Sequence, residues 1–434
     1  MDIMVIGGGG REHALCWKLA QSPLSKTIYC APGNGGTALD ERITNVNLQV
    51  SDFDGIAEFA LKNSVDFIVI GPDNPLADGI VDFLEAKGLK VFGPTKEAAK
   101  LEWSKAHSKT FMQQNDIPTA RFEVSHDFES AEKFVRSNVW ARVIKADGLA
   151  LGKGVFVCDS ADEAVDALGI IFKDGKFGDA GNTVVIEEKL IGDELSLLIL
   201  VDGKNVLPLS ACQDHKRRYD GDKGPNTGGM GAYSPVRLYD THKDAIKKHL
   251  LDPIEKSLAD GKLSFKGMLF AGILVGRTES EEPTTQLTPY VLEFNARFGD
   301  PETQALMPRL KSDLLPLLWA CTTGTLAAEK VEWQNDASVC VVASAENYPE
   351  TSSKGKAITV EDLGDRAFLF HAGTQLDGDV LKTNGGRVLC VTALGETIEK
   401  ARENAYKAIK KVSFDDMACR SDIALREVGR CLST

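Results

Sequence analysis

The stretch Val291-Leu292-Glu293-Phe294-Asn295-Ala296-Arg297-Phe298-Gly299-Asp300-Pro301-Glu302 combines carboxylates, an amide and a guanidinium at spacings that can do chemistry. Its first half reads as a strand. Val291, Glu293 and Asn295 then share one face, and Leu292 and Phe294 the other. A carboxylate and an amide oxygen two residues apart point the same way, as hard oxygen ligands for Mg²⁺ should. Gly299 lets the chain turn, and Arg297 stands where it could hold a carboxylate or phosphate. The bland alternative is a half-buried strand whose polar face meets water.

A second group lies from Gln213 to Gly231, where Asp214, Lys216, Arg217 and Arg218 precede a run containing Gly228 and Gly229. The glycines make a regular element unexpected there. Long glycine-rich loops in compact domains tend to bind ligands, so this one reads as an anion pocket, with a solvated basic loop as the alternative. Lys145 ends an apolar run and is followed by Gly148, Gly152, Lys153 and Gly154. This is not a Walker A motif, but it suits either a flap whose N–H groups meet phosphates or a bare hairpin turn. Between two apolar runs, Glu187-Glu188-Lys189-Leu190 could present backbone groups to an adenine edge, and Glu194 could take ribose hydroxyls. Lys105 and Lys109 are i, i+4 neighbours, with solvated surface as the default for either.

The elements that must carry these groups begin with Ile3 to Ile6, a strand running into Gly7, Gly8, Gly9 and Gly10 and then a helix from Ala14. Strand, glycine turn and helix open a doubly wound α/β domain. The turn suits a phosphate or sugar phosphate at the helix N-terminus, or serves only tight packing. A dinucleotide fingerprint would need glycine where Glu12 stands. Further strands are expected at Thr27–Cys30, Asp66–Ile70 and Leu89–Pro94, and the domain ends near residue 103. Strands at Trp140–Lys145, Gly267–Val275 and Tyr290–Asn295 follow, the last two paired. Helices are expected at Ser104–Met112, Lys243–Leu258 and Leu310–Thr322. The C-terminal part reads as a small α/β domain with strands at Ser338–Ala343, Ala367–Ala372 and Arg387–Thr392 and a helix at Thr397–Val412. Its Asn384-Gly385-Gly386-Arg387 segment reads as an ordinary turn, with lining of a cleft as the alternative.

Composition narrows the class. The chain is 43% hydrophobic and carries a formal net charge of -13, which argues against nucleic-acid and anionic-membrane binding. An anionic substrate therefore needs a local cationic pocket. Nine cysteines occur singly, with no C-x-x-C pair, and read as reduced, mostly buried thiols. Met1 to Ile6 is too short for a signal core and has no basic flank, and no apolar run could span a bilayer. A cytoplasmic protein is expected.

Several long motifs carry a resemblance. GGGGREHAL at Gly7, PGNGGTA at Pro32, KADGLALGKGV at Lys145, QDHKRRYDGDKGPNTGGMGAYSPV at Gln213, LEFNARFGDPETQ at Leu292, FHAGT at Phe370 and TNGGRVL at Thr383 span essentially the whole chain. The sequence resembles the ATP-grasp superfamily and, within it, the phosphoribosylamine–glycine ligase family. The resemblance implies an N-terminal doubly wound α/β domain at 1–103, an ATP-grasp two-lobe domain at 104–328 with a small lid at about 120–190, and a small α/β domain at 329–434. It implies ATP-dependent ligation of glycine to 5-phosphoribosylamine with Mg²⁺ or Mn²⁺, in purine synthesis, by a monomer or weak homodimer.

By the same resemblance, Glu293 and Asn295 would hold the metal, and Lys105 and Lys145 would contact ATP phosphates under a flap from Gly148 through Gly152 and Lys153 to Gly154. Glu187, Glu188, Lys189 and Leu190 would meet adenine and Glu194 the ribose. Asp214 and Arg297 would grip glycine by its ammonium and carboxylate. Lys216, Gly228, Gly229, Gly8, Gly9 and Gly10 would receive the phosphoribosyl end, with Gly299 and Asp300 beside them. Three positions depart from the family's usual pattern: Arg142 in a strand that is usually apolar, Lys189 where an aromatic is common, and Asp73 in place of glutamate. Competing readings are another ATP-grasp carboxylate–amine ligase or carboxylase, a nicotinamide oxidoreductase, and a silent ATP-binding regulator.

Overall fold

The structure is a computed structural model and describes residues 1–149, 154–282 and 286–432. The N-terminal part is a five-stranded parallel sheet in the spatial order Ile43–Asn45, Thr27–Pro32, Asp2–Gly7, Phe67–Ile70, Val91–Phe92. Ile3 to Ile6 are all fully buried, because helices cover both faces of a parallel sheet. The helix Gly10–Leu19 starts earlier than the apolar pattern alone suggests, within the glycine turn itself.

A small antiparallel sheet follows, in the order Phe122–Ser125, Val184–Glu188, Ala141–Ala146, Val155–Val157. Its own apolar core, with Ala131, Val135, Ile144, Leu168 and Ile186, separates it from the rest of the molecule. The hinge after it is one residue long: Glu188 ends one strand, and Leu190 begins the next. That next strand, Leu190–Asp202, pairs along its whole length with Lys266–Thr278, which in turn pairs with Thr288–Asn295 as expected.

The alternation expected along 291–295 is broken. A β-bulge lies where Val291 pairs with Ile273 and Glu293 with Gly272, leaving Leu292 as the extra residue. The extra residue resets the face. Val291 and Phe294 both enter the largest apolar core, while Glu293 and Asn295 turn to the opposite side. Val291 therefore does not share the face of Glu293, contrary to the simple period of two.

The Gln213 segment is not a structureless loop. Gln213–Asp214 and Gly231–Ser234 are strands, and between them Arg217–Tyr219 pairs with Lys223–Asn226 as a hairpin. The outer two strands join the C-terminal sheet, in the order Gln213–Asp214, Gly231–Ser234, Ala337–Ala345, Arg387–Gly395, Ala367–His371. One sheet thus draws on residues from both sides of position 328. The helix expected at Lys243–Leu258 begins at Arg237 and runs to Ala259 through a π turn at Lys247–Leu251. No helix among the described residues is long and apolar enough to cross a membrane. The cysteines whose state is described are free, and all are buried but Cys419.

Candidate active site

A cleft of about 920 Å³ lies between the small sheet, the long antiparallel sheet and the Gln213 segment. Lys105, Lys145, Gly154, Glu187, Glu188, Lys189, Leu190, Glu194, Asp214, Lys216, Gly228, Glu293, Asn295, Arg297 and Asp300 all line it, and so does Asp73. Gly152 and Lys153 lie outside the described residues. Gly148 stands at the edge, where its carbonyl accepts from Lys105 Nζ at 3.0 Å.

Glu293 and Asn295 fit a divalent cation. Burial would raise the Glu293 pKa, but Lys216, Lys145, Lys105 and Arg297 outweigh it and hold the carboxyl below its ordinary value. Among the described residues the carboxylate accepts no hydrogen bond, so its oxygens are available. Asn295 Oδ1 accepts from Arg297 Nη2 at 3.1 Å, which leaves its second lone pair open. Among the described residues, no group of three or more His, Cys, Asp or Glu side chains could hold a metal. Two hard oxygen donors suit an ion that completes its shell with phosphate oxygens and water.

The cations around this pair come from four elements. Lys105 starts the helix Lys105–Gln114, and burial chiefly lowers its pKa. Lys145 ends the strand Ala141–Ala146, and its Nζ lies 2.8 Å from Glu187 Oε1 and 3.3 Å from the Leu292 carbonyl freed by the bulge. Lys109, read as surface by default, is only 1% exposed and lies 3.3 Å from Glu187 Oε2. The Glu187 side chain is thus committed to two lysines, leaving only backbone atoms for any adenine contact. Lys189 reaches Asp159 Oδ1 at 2.7 Å. Lys216 Nζ sits 3.0 Å from Glu194 Oε2. Arg297 pairs with buried Glu102 at 3.0 Å, and among the described residues its buried Nε meets no acceptor, so one donor remains for a ligand.

Asp214 faces the other way electrostatically. Burial first, then the carboxylates of Glu302, Glu194 and Glu293, push its pKa up to about 7 against the pull of Lys216. Glu302 is raised as well, chiefly by burial. A carboxylate held against its neighbours in this way gains by receiving a cationic ligand.

The basic stretch divides in two. Arg218, 4% exposed, turns out of the cleft and donates to the carbonyls of Tyr348 at 2.8 Å, Glu346 at 2.9 Å and Ala345 at 3.4 Å. Only Lys216 and Arg217 of the three neighbouring cations line the cleft. Gly229 is left-handed, with φ +110°, and a Cβ there would come within 2.5 Å of Pro301 Cδ.

Gly8, Gly9 and Gly10 do not line the cleft. Their lack of side chains serves close packing: a Cβ on Gly8 would lie 2.6 Å from the Gly33 carbonyl and one on Gly10 2.6 Å from Gln304 Nε2. Glu12 explains the broken fingerprint. Its carboxylate accepts from the Gly9 N–H at 2.7 Å and fills the space beside Gly7 and Gly71. The place a pyrophosphate would take at the helix N-terminus is filled by the protein's own anion. Gly299 likewise packs on Glu302 rather than facing the cleft.

Two arginines that line the cleft had no role assigned from the sequence, Arg387 only the alternative of cleft lining. Arg11 follows the glycine turn, is 8% exposed and donates to the Phe298 carbonyl at 3.2 Å. Arg387 comes from the C-terminal sheet. It pairs with Asp300 at 3.1 Å and donates to the carbonyls of Gly228 at 2.5 Å and Asp300 at 2.8 Å. Burial would raise the Asp300 pKa, but Arg387 and Arg11 hold it below its ordinary value.

Family models agree with this architecture. The phosphoribosylglycinamide synthetase N domain matches residues 1–102, the ATP-grasp (A) domain 103–303 and the C domain 338–426. The chain belongs to the phosphoribosylglycinamide synthetase family. Relatives named phosphoribosylamine–glycine ligase share its full length. The one from Neisseria meningitidis serogroup B is 47% identical over 99% of this chain and 100% of its own. The one from Vibrio cholerae is 45% identical over 99% of each. The crystal structure of phosphoribosylamine–glycine ligase from Thermotoga maritima superposes with a TM-score of 0.81 at 35% identity, covering 98% of this chain and 100% of that one. The biotin carboxylase domain of Hydrogenobacter thermophilus 2-oxoglutarate carboxylase has a TM-score of 0.72 at 15% identity over 96% and 91% of the two chains, and so shares the ATP-grasp fold. Within the family, the N-terminal sheet, the ATP-grasp lobes and the C-terminal sheet correspond to the architecture expected from the sequence.

Proposed function

We infer that the chain joins glycine to 5-phosphoribosylamine at the expense of ATP, giving glycinamide ribonucleotide, ADP and phosphate, a step of purine synthesis. The observation that carries this is the cleft in which a carboxylate and an amide oxygen, converging lysines, a carboxylate short of cations and an arginine with a spare donor meet. That arrangement appears in a chain 45% identical, over its whole length, to curated ligases.

A carboxylate is a poor acyl donor. Transfer of the γ-phosphoryl group from ATP to the glycine carboxylate makes an acyl phosphate, the amine of phosphoribosylamine attacks its carbonyl, and phosphate leaves. No protein nucleophile is required, so the residues act by position and charge. We assign Lys105 and Lys145 to the ATP phosphates, the backbone from Glu187 to Leu190 to adenine and Glu194 to the ribose. Glu293 and Asn295 would hold Mg²⁺ or Mn²⁺, which neutralises phosphate charge as it is transferred. Asp214 would take the glycine ammonium, its deficit of cations supporting that role. Arg297 would take the carboxylate through its free Nε. The phosphoribosyl end would lie toward Gly228, Gly229 and Asp300, where Arg11 and Arg387 supply positive charge, with the Gly8 to Gly10 turn behind them. Lys216 stands on the Glu194 side of that region. We take the enzyme to work as a monomer or weak homodimer in the cytoplasm, where the substrates and reduced thiols belong.

Release of ADP by the purified protein tests the reading. ADP should appear with Mg²⁺, ATP, glycine and freshly prepared phosphoribosylamine together, and ligation should stop when either cosubstrate is omitted. Bicarbonate-dependent release in place of glycine dependence would instead indicate a carboxylase.

A further inference from the structure

Three charged side chains meet at the root of the small sheet, where two would make a complete pair. Lys145 Nζ and Lys109 Nζ approach the two oxygens of Glu187 at 2.8 Å and 3.3 Å. Lys109, Lys145 and Glu187 are 1%, 7% and 2% exposed, and all three line the cleft. The two lysines are held unequally. Lys109 Nζ donates to Thr119 Oγ1 at 2.7 Å, and that hydroxyl donates to the Val291 carbonyl at 2.7 Å, beside the bulge. Among the described residues, the hydrogen-bond acceptor of Lys145 beyond Glu187 is the Leu292 carbonyl, at 3.3 Å.

An ion pair made only for structure needs one cation, and burying a second carries a desolvation penalty with no second carboxylate in hydrogen-bond contact to offset it. The excess charge is useful where an anion arrives. One carboxylate between two ammonium groups leaves a net single positive charge. Without Lys109, Glu187 and Lys145 would form a neutral pair, and an incoming phosphate would lose most of its attraction to that point. Burial pulls the Lys109 pKa down to about 8 against the pull of Glu187, so the group stays largely protonated at neutral pH. Beside it on the same helix, Ser108 Oγ is buried, has no partner among the described residues and belongs to a cleft-lining residue, so this face keeps a further polar atom for a ligand.

We propose that Lys109 is a positioning residue for the nucleotide: by sharing the Glu187 carboxylate it leaves Lys145 with positive charge to offer to the triphosphate. The inference rests on the reading that this cleft binds ATP. Charge arithmetic sets its test. The triad carries a net charge of one in the natural chain, none in Lys109→Met, and one again in the double variant Lys109→Met/Glu187→Gln.

Lys109→Met should raise KM for ATP about tenfold or more, as expected for loss of a charge-assisted contact, while KM for glycine stays within about twofold. The double variant should bring KM for ATP back toward the natural value. A double variant as impaired as Lys109→Met, or worse, overturns the proposal, as does an equal rise in KM for all three substrates. Lys109→Arg keeps the charge and covers the case in which the methionine variant does not fold. It should stay within about threefold of the natural KM for ATP, and a larger loss with an unchanged melting curve also overturns the proposal. Titration of each variant with MgADP reports the same arithmetic without turnover. An inactive natural enzyme would therefore count against the ligase reading alone.

Discussion

Glu293 concentrates the chemistry because four cations keep it ionised while none of the described residues donates a hydrogen bond to its oxygens. Glu293→Ala should cut turnover by about a hundredfold or more with the far-ultraviolet spectrum unchanged. Normal turnover at saturating Mg²⁺ would remove the metal assignment. Asp214 behaves oppositely, because its pKa is about 7 in the folded state against 3.8 in the unfolded chain. Between those values the folded state holds a proton that the unfolded state has released, so stability falls as pH rises through that window. Ligand-free Asp214→Asn should melt higher than the natural protein at about pH 8 and together with it near pH 4, while losing ligation. Differential scanning calorimetry at the two pH values checks both ends. At this scale the sequence was informative where motifs are contiguous, as from Leu292 to Gln304. It made Lys109 solvated surface by default, because nothing beside a lysine on a helix says that a distant Glu187 will bury it.

At the scale of elements, the bulge at Leu292 matters most. Period-two reasoning put Glu293 and Asn295 on one face correctly, but it carried Val291 along with them. One extra residue cannot be seen in a run of apolar and polar letters, since it is set by the partner strand at Gly272 and Ile273. The Gln213 segment shows the same limit. Glycine density suggested no regular structure, yet its ends pair with strands far along the chain, and those partners supply what propensity lacks. The hairpin between them is fixed by Arg218, whose charge looked available to an anion. Arg218→Ala would remove the donor to three carbonyls, one of them buried, and should lower stability by about 1–3 kcal/mol. KM for phosphoribosylamine should change little in the enzyme that remains folded. Urea unfolding and steady-state kinetics separate the two effects, and a KM rise without destabilisation would return Arg218 to the substrate.

For the whole molecule, the order of sheets could be read from the chain, but the exchange between them could not. The doubly wound N-terminal sheet, the lid and the long hairpin follow chain order. The C-terminal sheet does not, because Gly231–Ser234 pairs with Ala337–Ala345 across the intervening helices and strands. All four residues of the first strand are buried in that union. A chain ending at Ala328 should therefore fail to give a soluble, cooperatively melting protein, although it contains nearly every nucleotide-side residue. A sharp thermal transition from that fragment would contradict the pairing.

The reach of Arg387 into the cleft sets a timetable for synthesis. Translation runs from the amino end, so the lysines, the Glu293–Asn295 pair and the glycine-rich hairpin all leave the ribosome before this arginine exists. Until it arrives, the turn at Gly228 and the turn at Asp300 have no common clasp. The nascent chain carries its cleft lysines and the Glu293–Asn295 pair early, but it can tie the Gln213 hairpin to the Asp300 turn only near the close of its own making.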